Sequence, residues 1–149
     1  MPFVSRAEEQ TTEFQASLFY PAQLHPADYS IDDGLRLNFI YGVNENVRGI
    51  DIGIVNKANG DAGGFELGMV NEVRMNFQGA QIGLIANVTR HSCQGFQAGV
   101  YNDTEEDMRG LQLGIVNHAG SLNGIQIGIL NFNDDTKYLG FFPFINAAF

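Results

Sequence analysis

The 149-residue chain contains no tryptophan, one cysteine and four prolines. A single cysteine excludes an intramolecular disulfide and any cage of cysteine ligands around zinc. Charge is scarce too, at 17% of residues against the ~25% usual in soluble domains. What charge there is leans one way, 17 acidic residues to 8 basic for a net −9. That balance argues against a general binder of nucleic acid or of anionic membranes. No apolar run approaches the ~18 residues of a spanning helix, and residues 1–10 lack the apolar core of a signal peptide. No phosphate-binding loop or dinucleotide fingerprint is present.

Glycine is what the chain has in excess: 18 residues, well above the ordinary ~7% share. Eight of them fall in register, at 34, 49, 64, 79, 95, 110, 124 and 140, so the chain repeats itself about every 15 residues. After each glycine, apolar columns alternate with a different set. One apolar column holds Leu37, Ile52, Leu67, Ile82, Ala98, Leu113 and Ile127, with similar columns two residues to either side. Between them lie a polar column, with Gln81, Gln97, Gln112 and Gln126, and a glycine column, Gly53, Gly68, Gly83, Gly99, Gly114 and Gly128. Period-two alternation over five residues predicts a strand with one buried face. Each strand stops at an asparagine (56, 71, 102, 117 and 131, with Asn87 one residue late), a residue suited to corners.

The same pattern in the same chain direction predicts an all-β solenoid of about eight coils, spanning residues 34–149 and including a C-terminal cap. Residues 1–33 read as an arm and N-terminal cap, with 14–20 and 141–149 as the capping segments. The apolar columns are expected to form the core. A further apolar column two residues before each glycine (Val47, Ala62, Phe77, Cys93, Met108, Leu122, Tyr138) is expected to turn inward from the opposite wall. The rival architecture is a small antiparallel barrel in an outer membrane, but a meander reverses at every turn and would give its turns a double period.

The repeats Gly-Leu-Gln-Leu-Gly-Ile-Val-Asn (110–117) and Gly-Ile-Gln-Ile-Gly-Ile-Leu-Asn (124–131) resemble those of uncharacterised bacterial surface-repeat proteins, which are secreted or lipoprotein-like. The resemblance extends over roughly residues 14–149. It implies an exported or cell-envelope location and brings no activity, cofactor or catalytic residue. A cytoplasmic location is the alternative.

Little else carries chemistry. His91 and Cys93 lie two residues apart, but Cys93 belongs to an inward apolar column and no third orienting group is identifiable. His25, His91 and His118 hold unrelated repeat positions, against a three-histidine metal site. The acidic run Asp103, Glu105, Glu106, Asp107 lacks a regular aspartate ladder and reads as a solvated edge. The expectation is a non-catalytic structural or interaction protein with neither cofactor nor metal. It would bind a protein or glycan partner through a flat face made by the glycine and glutamine columns, or through the acidic edge. Homo-oligomers would form through that face or through the solenoid ends. The alternative function is an acidic solenoid that mimics nucleic acid and inhibits a DNA-binding enzyme.

Overall fold

The computed structural model describes residues 9–137 and 140–149. Tyr138, the last member of the expected inward column, lies outside them. The described residues form eight strands and no helix: β1 (Thr11–Phe19), β2 (Ala22–Gln23), β3 (Ser30–Asn44), β4 (Val47–Ala58), β5 (Ala62–Val73), β6 (Phe77–Thr89), β7 (Cys93–Asn133) and β8 (Phe141–Ala148). They join one sheet in the order β2-β1-β3-β4-β5-β6-β7-β8. From β3 to β7 all neighbours run parallel, and the repeat glycines stack directly: Gly34 on Gly49, Gly49 on Gly64, Gly64 on Gly79, Gly79 on Gly95. Parallel stacking of successive repeats is a β-solenoid and excludes the antiparallel barrel.

The solenoid makes about six turns rather than eight coils. The segment after Gly140 does not wind on: β8 reverses and pairs antiparallel with the final coil, Ile127 opposite Ile145, closing that end. At the other end β1 runs parallel to β3, with Gln15 opposite Arg36, and the short β2 folds back antiparallel on β1.

Two local devices keep the coils in step. The glycines at 49, 64, 79, 95, 110 and 124 all have φ between 102° and 152°, backbone that side-chain-bearing residues avoid, and a Cβ at any of them would strike the carbonyl of the glycine one coil below. The extra residue before Asn87 is absorbed by a register shift beside Gly83, so Asn87 still pairs with Asn71 and Asn102.

The interior has two halves. One is apolar, built from Val47, Ala62, Phe77, Cys93, Met108 and Leu122 with Ile31, Ala58, Val73 and Ala119. The column two residues before each glycine therefore does point inward, as the sequence predicts. The other half is polar. Gln81, Gln97, Gln112 and Gln126 are fully buried, as are Asn71, Asn87, Asn102, Asn117 and Asn131. The three apolar columns expected to fill the core instead face outward: Ile50, Ile52, Ile54, Leu84, Leu113, Ile115, Ile125 and Ile129 are all exposed.

Buried amides are tolerable because they bond to one another. Each glutamine Nε2 donates to the Oε1 one coil below, from Gln126 to Gln112 to Gln97 to Gln81, at 2.7–2.8 Å. From Asn56 to Asn117 each asparagine Nδ2 donates twice, to the Oδ1 of the next asparagine at 2.8–2.9 Å and to a main-chain carbonyl, Asn71 to Asn87 and to Ile82 for example, and Asn131 ends the ladder by donating to the Gly128 and Phe142 carbonyls. Among the described residues, only Asn38 Oδ1 is a buried side-chain polar atom without a partner. A satisfied ladder avoids the ~1–3 kcal/mol cost of each unpaired buried group.

Candidate functional site

Of the residues expected to form a binding face, the glutamines are buried, and the glycines are buried (Gly68, Gly83) or partly buried (Gly53, Gly99, Gly114, Gly128). Gln81, Gln97, Gln112 and Gln126 lie in the ladder, with no exposed surface. Gly53, Gly68, Gly83, Gly99, Gly114 and Gly128 point into the same polar half. A Cβ on Gly99 would meet the Gly83 carbonyl and Asn87 Nδ2, and one on Gly128 would meet the Gly114 carbonyl and Asn117 Nδ2. These glycines let backbones and asparagine side chains approach closely. The side of the strands on which the glutamines lie, and toward which a glycine Cβ would point, is internal.

What the alternation sends outward is a flat apolar wall. Three columns run through the coils from Leu35, Leu37 and Phe39 to Ile125, Ile127 and Ile129, and no member is polar or charged. Leu113, in the central of the three columns, is 44% exposed. The wall bends toward the asparagine corner into a fourth column of Tyr41, Val55, Val70, Ala86 and Tyr101 in register, continued in the repeat by Val116 and Leu130, all partly or largely exposed. Its relief is low except near mid-height, where a shallow depression opens over Ala98 between Ile82, Leu84, Val100, Leu113 and Ile115, with Gly83, Gly99 and Gly114 also in its lining. Leu84 stands at its rim, 66% exposed.

The second wall carries the charge. Lys57 pairs with Glu72 at 3.4 Å, Arg90 with Glu72 at 3.6 Å and with Glu105, and His91 with Glu106 at 3.0 Å. His118 sits between Asp103 at 2.6 Å and Asp134 at 3.0 Å, and those carboxylates lift its pKa to about 9. The acidic edge is therefore laced with basic side chains that reach acidic residues of neighbouring coils. Among the described residues, no cluster of three or more His, Cys, Asp or Glu is placed to hold a metal ion.

The N-terminal end of the glutamine column departs from the amide pattern. Arg36, Asp51 and Glu66 occupy its first coils, all buried. Arg36 holds Asp51 bidentately, Nε to Oδ1 at 2.9 Å and Nη2 to Oδ2 at 2.5 Å, and gives Nη1 to the Lys57 carbonyl at 2.8 Å. Glu66 has no cation of its own. Burial and the nearby Asp51 push its pKa up to about 8, despite the bond from Gln81 Nε2 at 2.8 Å. Cys93 is also sealed in, its thiol pushed up to about 12 by burial, while His91 lies at the surface beside Glu106. The two do not form a nucleophile–base pair.

The exposed surface that sequence reasoning missed is thus the apolar wall, read as core. One signal could have found it. Val47 and Asp51 lie four residues apart on one unbroken strand, so they share a face, and Ile50 and Ile52 must take the other. No protein-family model, curated protein or solved structure matches this chain.

Proposed function

We propose that the chain is a non-catalytic structural and interaction protein of the bacterial cell envelope that works through its apolar wall. The observation that carries the reading is the uninterrupted apolar character of three outward columns, beside a second wall whose outward positions hold ion pairs. At ~3.3 Å per residue and ~4.8 Å per coil, the wall spans roughly 600 Å² of flat sheet. Its accessible area is larger still, beyond the ~300–600 Å² of the largest patch on an ordinary monomer. Such a surface is stable in water only when something covers it. The envelope location is carried by the likeness of the 110–117 and 124–131 repeats to surface-repeat proteins.

Cysteine labelling in cell extract tests whether the wall is covered. Leu113→Cys should react slowly with a maleimide, and Glu106→Cys on the charged wall should react fast, with buried Cys93 silent in both. Equal labelling would remove the wall from the reading. Fractionation of cells expressing the full gene should place the protein with the envelope, and recovery wholly in the cytosol would overturn that half.

A further inference from the structure

We infer that the wall is covered by a second copy of this chain, the two walls packed face to face about a two-fold axis. The inference rests on the reading of the wall as a docking surface and names its occupant. A partner of different composition would be met by some charge or hydrogen-bonding group, and the three columns offer none. A surface wholly apolar from end to end is complementary to itself. The net charge of −9 lies off the three columns, so face-to-face pairing carries the charged walls of the two copies to the outside, with a double sheet between them. An anionic bilayer would meet the same rod without a basic rim to hold it, since the residues edging the wall include Arg48 and Arg109 but also Asp33, Gln78, Gln94 and Asn123.

Area and relief agree. Two flat walls of roughly 600 Å² bury at least ~1,200 Å² together, enough for a stable interface. The relief is a knob beside a hole: Leu84 projects at the rim of the depression over Ala98. A two-fold axis passing between them seats each Leu84 in the other copy's depression, the reciprocal contact an isologous dimer requires.

Sedimentation equilibrium of the purified full chain, up to roughly 100 µM, should give twice the 16.4 kDa chain mass. Leu84→Lys should give the single-chain mass with an unchanged circular dichroism spectrum. The double variant Leu84→Cys, Ala98→Cys should form an interchain disulfide on oxidation, to which buried Cys93 contributes nothing. Several outcomes would overturn the inference. A monomer at all concentrations whose Leu113→Cys is nevertheless shielded in extract means another occupant, and co-sedimentation with phosphatidylcholine vesicles would identify it as lipid. A monomer whose wall is also labelled freely in extract removes the docking reading itself. An open polymer, or a dimer indifferent to Leu84→Lys, would exclude this two-fold.

Discussion

Gln97 donates its side-chain Nε2 to Gln81 Oε1 across 2.8 Å, and Gln97 Oε1 in turn accepts Gln112 Nε2 at the same distance. The three amides form a single directional chain inside the solenoid, with Thr89 and Thr104 hydroxyls attached to it from the opposite wall. Removing one link takes a partner from the amide on each side, leaving Gln81 Oε1 with only the Thr89 hydroxyl and Gln112 Nε2 with only the His118 carbonyl. Gln97→Ala should therefore cost about 2–4 kcal/mol, from two lost hydrogen bonds and a buried cavity. Leu113→Gln, an apolar-to-polar change on the outer wall, should change the stability of the single chain by less than ~0.5 kcal/mol. Urea unfolding of both variants, compared in a background that holds the chain monomeric, measures the contrast. The reverse order would place the glutamines outside.

The stacked glycines invite a second comparison. Gly110 has φ 135°, and a methyl there would strike the Gly95 carbonyl. Gly140, the eighth glycine of the repeat, meets nothing nearer than 3.4 Å. Gly110→Ala should lose at least ~1–3 kcal/mol from backbone strain, and Gly140→Ala should be close to neutral. Thermal melts of the pair decide it, and equal losses would mean that Gly140 also sits within a stacked coil.

The period of 15, the parallel stack and the inward column from Val47 to Leu122 were all legible from spacing. The facing of the strands was not. Alternation defines two faces without saying which is inside, and the usual assumption that apolar means buried chose the wrong one. Two features pointed the other way. Strand parity ties Asp51 to Val47 rather than to Ile50. The glutamine and asparagine columns repeat one residue type, as side chains must when each bonds to its own equivalent in the next coil, while the apolar columns accept Leu, Ile, Phe, Ala, Val and Met. Single residues were harder still. Nothing local distinguishes Glu66 from an exposed glutamate, and its burial follows only once the column is known to face inward.

Cys93 should behave as a core residue. With no exposed surface and a thiol pushed up to about 12, it presents almost no thiolate at neutral pH. A disulfide reagent such as dithionitrobenzoate should titrate about one thiol per chain in denaturant and almost none in the native state. Rapid native labelling would mean that the apolar half of the interior opens to solvent.

Glu66 contributes a pH dependence to the stability of the fold. Its pKa rises from an ordinary 4.5 to about 8 in the folded chain, chiefly through burial and then through the charge on Asp51. Between those values the folded state holds a proton that the unfolded state has released. Stability from this group is therefore complete below pH 4.5, falls as pH rises, and stops falling above about 8. Within that window the slope approaches ~1.4 kcal/mol per pH unit. Glu66→Gln removes the titration and extends the amide column by one coil, since Gln81 Nε2 can donate to the new amide oxygen as it now does to the carboxyl. Titrating groups remote from this column act equally on both proteins, so the difference between them reports Glu66 together with its neighbour Asp51. Urea midpoints at pH 5, 6.5 and 8 should show the variant gaining on the parent as pH rises, with the largest advantage at pH 8. Parallel curves across that range would mean that Glu66 is already ionised in the folded chain, with a cation or water beside it that the Arg36–Asp51 pair does not supply.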